Sequence, residues 1–211
     1  VQGGDWGSII SRWTAFNHAE YVVGMHLNFV TGTVPPDPNN PNEGVTEIEL
    51  ARMQERQQFM STERGYSGIQ GTKPQTLAYG LNDSPAGLAA WIVEKFRTWS
   101  DCNGDVETRF TKEELLTNIA IYWFTQSISS SVRLYYESRR SSSAFGFREK
   151  VTVPTAFAAF PVEIGHPPRE WVERAYNVQR WTQMSTGGHF AAQEEPELLA
   201  QDIREFFRTV R

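Results

Sequence analysis

The feature that most constrains this chain is its opening, Val1-Gln2-Gly3-Gly4-Asp5-Trp6-Gly7-Ser8. A short apolar entry meets two glycines, an acid and an aromatic, then Gly7-Ser8 and an amphipathic run from Ile9. This is the grammar of a strand, a very sharp turn and a helix. The template is a nucleophile elbow, G-x-Nu-x-G, whose flanking glycines let strand and helix approach closely. An ordinary Gly-Asp turn is the competing reading of the pentapeptide alone. Asp5 stands at the centre, where a serine would serve acyl transfer. A carboxylate that attacks a saturated carbon leaves an ester that water can cleave, whereas serine would leave an inert ether. An Asp elbow therefore points to substitution at saturated carbon: epoxide opening or dehalogenation.

The rest of the sequence reads as α/β at both ends and helical in the middle. Ile9, Ile10, Trp13 and Phe16 fit a helix packed on a sheet, and Tyr21 to Val30 is β-branched and aromatic like a buried strand. Thr33 to Gly44 is a Pro/Asn-rich loop where an insertion would leave the sheet. Helix signals follow from Glu47 to Thr62. Prolines preceded by hydroxyls, at Thr72-Lys73-Pro74 and Ser84-Pro85, mark two more helix starts. Thr111 with Glu114 is a capping box, and Ile128 to Ser138 reads as a further helix. After the serine-rich and basic stretch 139–150, strands return at Val151 to Phe160 and Asn177 to Met184. A short helix, Pro167 to Ala175, lies between them, and a last one opens at Pro196. The expected division is a core over 1–32, a helical cap over 33–145 and core again over 146–211.

Three groups fall at carboxyl ends of candidate strands: Asp5, Glu163 and His189. Ligands of open α/β sheets bind at that edge, and the order nucleophile, acid, histidine is that of α/β-hydrolases. Singly, Glu163 reads equally as a turn carboxylate and His189 as a loop histidine; together at consecutive strand ends they form a candidate constellation. The net charge of -5 and the lack of a basic block exclude a nucleic-acid partner from the expectation. The lone Cys102 excludes an internal disulfide framework and points, weakly, to a reducing compartment. No apolar run is long enough to span a bilayer. Asp101-Cys102-Asn103-Gly104-Asp105 resembles the start of a calcium loop but departs from it at Val106 and Lys112. His18, His26 and His166 lack ligand-like spacing, so no metal is expected.

Several long stretches resemble the microsomal-type epoxide hydrolases: QGGDWGS at 2–8, GYSGIQGTKPQTLAYGLNDSPAGLAAWIVEKFRTW at 65–99, IYWFTQSISSSVRLYYE at 121–137, VPTAFAAFPVEIGHPPREW at 153–171 and GGHFAAQEEPELLAQDI at 187–203. The resemblance implies an α/β-hydrolase fold, here the C-terminal portion of its sheet with an inserted all-helical cap. It implies Asp5 as nucleophile, His189 as base and Glu163 as its charge partner. It also implies two cap tyrosines over the epoxide: Tyr66, and Tyr135 by counting back from Glu137, with Tyr136 the alternative. The Trp6 amide is placed by the elbow to serve an oxyanion, and no cofactor is needed. The implied partners are a small-molecule epoxide and water, with a homo-oligomer left open. Val1 reads as the end of a strand whose beginning is missing, so the chain reads as truncated. The first strands, an HGxP segment with a second oxyanion amide, and any membrane anchor are expected ahead of it. A haloalkane dehalogenase with the same Asp nucleophile, and a catalytically incomplete interaction protein on this fold, are the alternatives.

Overall fold

The computed structural model describes residues 1–35, 37, 39–141 and 149–210. The serine-rich segment between Ser142 and Arg148, and with it the expected boundary at 145/146, lies outside the described residues. Two compact units emerge, one formed by 1–58 with 145–211 and the other by 59–144.

The first unit is built on a parallel sheet of four strands: β1 (Gln2–Gly3), β2 (Met25–Leu27), β3 (Val151–Ala159) and β4 (Tyr176–Gln183). They lie side by side in sequence order. Helix α1 (Asp5–Asn17) links β1 to β2. Along β3 the side chains alternate between two cores. Val151, Val153, Phe157 and Ala159 pack with Met25, Leu27 and Ala15 of α1. Ala158 and Phe160 pack with Ala191 and Leu199 on the other face. Both faces are covered, which is why β3 reads as an almost unbroken apolar run.

The second unit is helical. It holds α3 (Gly65–Gln70), α4 (Pro74–Asp83), α5 (Pro85–Trp99), α6 (Lys112–Thr125) and α7 (Ile128–Arg140), preceded by the end of α2 (Glu47–Glu63). Ala78, Leu81, Leu88, Ile119, Ile128 and Val132 form its core. The local start signals work as anticipated in two cases. Ser84 accepts the Gly87 N–H, and Thr111 and Glu114 cap each other's backbone reciprocally. No helix among the described residues is long and apolar enough to cross a membrane.

The structure corrects four local expectations. The strand over 21–30 contracts to Met25–Leu27, with a single 3-10 turn at Ala19–Tyr21 and Tyr21 and Val23 largely exposed. Aromatic and β-branched residues favour a strand only in the right tertiary context, and here β2 pairs with β3 through just Met25, His26 and Leu27. On α1, Ile10 is 64% exposed and the buried face is Ser8, Ile9, Ser11, Arg12 and Ala15. Small serines let this helix lie close, and Arg12 is accommodated by donating to the Thr31 carbonyl and stacking on Tyr176. Thr72 does not cap α4; its hydroxyl donates to the Gly68 carbonyl of α3, and Lys73 is the cap residue. The helix expected from Pro167 begins at Arg169, after Pro168.

The last long helix of the first unit, α10 (Pro196–Thr209), follows α8 (Arg169–Ala175) and α9 (Ala191–Glu194). It is pinned to the sheet by a buried polar network. Asp202 accepts from Arg180 Nε and Thr182 Oγ1, each at 2.7 Å, and lies 2.9 Å from His26 Nε2. His26, which has no ligand role by spacing, is thereby part of the scaffold.

The elbow glycines differ in what they must do. A Cβ on Gly3 would lie 2.3 Å from the Gly7 backbone, whereas one on Gly7 meets nothing within 4 Å. Gly3→Ala should therefore destabilise the protein by about 1–3 kcal/mol in urea titrations. Gly7→Ala, within the helix, should be neutral or stabilising by up to about 1 kcal/mol. Equal effects at the two positions would mean that close packing at Gly3 does not shape the turn.

Candidate active site

The turn after β1 builds the site. Gly4 is extended and caps α1, and the chain then turns at Asp5, whose φ of 43° lies in the left-handed region. A residue with a side chain is rarely held there, at a cost of roughly 1–3 kcal/mol, and such strain concentrates at functional sites. A Cβ on Gly4 would lie 2.5 Å from the Asn28 side-chain amide, which would have to shift. The turn is stitched by Ser8, whose N–H donates to Gly4 O at 3.1 Å and whose hydroxyl donates to Asp5 O at 2.7 Å. Asp5 is left half exposed, 49% by side chain, at the N-terminal end of a thirteen-residue helix. Trp6 follows in the first turn, where backbone amides and the helix dipole favour an anion.

Beyond the ends of β3 and β4, two loops bring Glu163 and His189 together. Val162 forms a parallel bridge with Gly188, and its N–H donates to Gly187 O at 3.1 Å. Gly187 has φ of 101°, and a Cβ there would strike Phe160 and Glu195. The bridged loops set His189 Nδ1 2.6 Å from Glu163 Oε1, with both side chains almost fully buried. The Ile164 N–H donates to the same oxygen at 2.6 Å. On its other side His189 Nε2 lies 3.8 Å from Asp5 Oδ2, an ion-pair distance rather than a hydrogen bond. Phe29 and Phe190 close on the imidazole edge-to-face.

Electrostatics follow from this geometry. Burial alone would push the His189 imidazole down, but the carboxylates of Asp5 and Glu163 prevail and raise it to about 10. With Asp5 ionised, the histidine is a cation held between two carboxylates.

The helical unit presents its own cluster. Tyr66 of α3 and Tyr135 of α7 meet edge-to-face with ring centroids 5.7 Å apart, and Trp99 stands 5.2 Å from Tyr66. Lys95 Nζ lies 4.9 Å from the Tyr66 ring and is ion-paired with Glu63 at 2.8 Å. Tyr136 instead lies under the Arg140 guanidinium, 3.5 Å from ring centroid to Cζ. The structure thus brings Asp5, Glu163 and His189 together in one unit, and Tyr66 and Tyr135 together in the other. Sequence reasoning missed Lys95, although its position four residues before Trp99 on α5 places both on one helix face. The calcium-like loop is occupied by protein: Asp101 pairs with Arg109 at 3.0 Å. Among the described residues, no cluster of acids, histidines and cysteines suits a metal ion.

No family model matches the chain. Epoxide hydrolase 1 of Sus scrofa is 43% identical over 98% of the chain and 50% of its own length. The crystal structure of the juvenile hormone epoxide hydrolase of the silkworm Bombyx mori superposes with a TM-score of 0.87 at 34% identity. It covers all of the chain and 54% of that structure. The Aspergillus niger epoxide hydrolase gives a TM-score of 0.83 at 28% identity, over 100% and 52% of the two chains. The chain spans about half the length of the relatives it matches. It has the α/β-hydrolase fold and is related, along essentially its whole length, to the epoxide hydrolases.

Proposed function

We propose that this chain carries the catalytic centre of an epoxide hydrolase that forms vicinal diols through an ester on Asp5. The observation that carries the reading is the left-handed Asp5 at a strand-to-helix turn, 3.8 Å from a histidine whose far nitrogen is bonded to a buried glutamate. The similarity to epoxide hydrolases supports the substrate class.

In the first half-reaction an Asp5 oxygen attacks an epoxide carbon from behind and the ring C–O bond breaks. The departing alkoxide is far more basic than a phenolate, so Tyr66 and Tyr135 of the helical unit, acting as a cap, hydrogen-bond it and supply a proton. Solvent returns that proton to the tyrosine. Esterification removes the Asp5 charge, one of the two that favour the imidazolium. His189 then releases its proton to solvent and becomes the base for the second half-reaction. With Glu163 fixing its tautomer, it deprotonates a water that attacks the ester carbonyl. The Trp6 amide stabilises the oxyanion, a contribution of about 3 kcal/mol for one such donor. On collapse the departing alkoxide takes the proton held by His189, and the new Asp5 carboxyl group returns a proton to His189. The diol leaves with Asp5 again a carboxylate and His189 an imidazolium, with no cofactor in the cycle.

Offered a styrene-oxide-type epoxide and a chloroalkane, the intact protein should turn over the epoxide alone. Tyr66→Phe and Tyr135→Phe should each slow ester formation by roughly 10- to 1,000-fold and spare ester hydrolysis. Chloroalkane turnover indifferent to both tyrosines would instead favour a dehalogenase. Full activity in Tyr135→Phe with loss in Tyr136→Phe would identify the neighbour as the second donor.

The charge argument has its own test by NMR. The His189 imidazolium should persist well above neutral pH and titrate near 10. Asp5→Asn, which removes the same charge as the ester does, should move that titration down. Because the folded-state value is raised above 6.5, the associated stability is complete below pH about 6.5 and is lost as pH rises towards 10. A His189 titration unmoved by Asp5→Asn would contradict the proposed switch from acid to base.

A further inference from the structure

Glu163 uses its two oxygens unequally. Oε1 accepts from both the Ile164 amide and His189, whereas Oε2 is buried and has no hydrogen-bond partner among the described residues. An incompletely satisfied buried carboxylate is costly unless charge is supplied nearby. The acid loop has a neighbour of that kind. Within the same unit, Arg56 of α2 donates from Nη2 to the Pro161 carbonyl at 3.5 Å, two residues before Glu163. Its guanidinium is partly buried, which pushes it down, and it lies within Coulombic reach of Glu163. The other ionisable ring on this loop cannot substitute. Burial, followed by the charges of Arg56 and Arg52, pushes His166 down to about 4, so it is neutral near pH 7. Its Nε2 is buried without a hydrogen-bond partner among the described residues.

We propose that Arg56 is a positioning residue for the histidine–glutamate pair: it clamps the acid loop at Pro161 and supplies a second positive charge, besides His189, to the buried Glu163 carboxylate, so that Glu163 stays aimed at His189. An exposed arginine making only a surface contact would matter little. This one lies within Coulombic reach of a buried charge, that of Glu163. The inference rests on the proposed ester mechanism for its kinetic consequence, since His189 and Glu163 serve the hydrolytic step there.

The test uses the intact protein with Arg56→Gln, Arg56→Lys and, as a control on the same helix, Arg52→Gln. The first readout is the far-downfield proton resonance of His189 Nδ1–H in its short bond to Glu163, which needs no substrate. Wild type, Arg56→Lys and Arg52→Gln should show it, and Arg56→Gln should lose it to solvent exchange. The second readout is single-turnover kinetics with an epoxide. Arg56→Gln should slow ester hydrolysis by roughly 10- to 100-fold, leave alkylation nearly unchanged, and be rescued by lysine. An unaltered resonance and hydrolysis rate in Arg56→Gln would overturn the inference. So would equal slowing of both steps, or equal loss of the resonance in Arg52→Gln, because these report general disruption of the helix. If the resonance depends on Arg56 but wild type forms no ester, the positioning role stands and the epoxide reading fails.

Discussion

The bond on which the site depends is the 2.6 Å contact between His189 Nδ1 and Glu163 Oε1. Both groups are buried, and a buried charge is tolerated only when paired. The two loops are bridged to each other at Val162 and Gly188. Gly187 takes a backbone angle and a space that a side chain could not share, and Val162 is hydrogen-bonded across to it. The sheet beneath supplies the rigidity. β3 and β4 pair along most of their length, so their two exits emerge side by side. On the other side of the imidazole, the strained turn at Asp5 holds the third group within ion-pair distance. In the proposed cycle a single cation between two carboxylates is the resting arrangement, and each half-reaction changes one of those charges.

Local grammar in the sequence was a good guide at several helix starts, though not at Thr72 or Pro167. The capping box at Thr111 and Glu114, the cap at Ser84 and the first-turn proline at Pro196 each need only residues a turn apart. The elbow is local too, since Gly3 and Asp5 are dictated by one turn. The other misses lie in pairing and packing that a local window does not show. β2 is only three residues long although the run around it is β-branched and aromatic, and it pairs with β3 over that whole length. The buried face of α1 includes Arg12 because Thr31 and Tyr176 receive it, which no hydrophobic periodicity in that helix reveals. His26 looked idle in sequence because its partner Asp202 is 176 residues away.

The meeting of Asp5, Glu163 and His189 was legible in outline because strand ends are predictable and ligands of open α/β sheets bind there. Choosing between Tyr135 and Tyr136 was a matter of counting. The structure adds a physical distinction: one ring meets Tyr66 and the other is covered by Arg140. Lys95 and Arg56 were not legible, because charged residues on amphipathic helices ordinarily belong to a solvated face. Only the folded chain sets one against the Tyr66 ring and the other on the acid loop.

The covalent ester on Asp5 is the central claim, and isotopic oxygen tests it most directly. A single turnover of an epoxide by the intact protein in oxygen-18 water, followed by mass spectrometry of the peptide containing Asp5 and of the diol, follows the attacking oxygen. Hydrolysis at the ester carbonyl predicts label in the Asp5 carboxylate and none in the diol of that first turnover. Label in the diol with an unlabelled Asp5 would mean that water opens the ring directly, and Asp5 would then be no nucleophile.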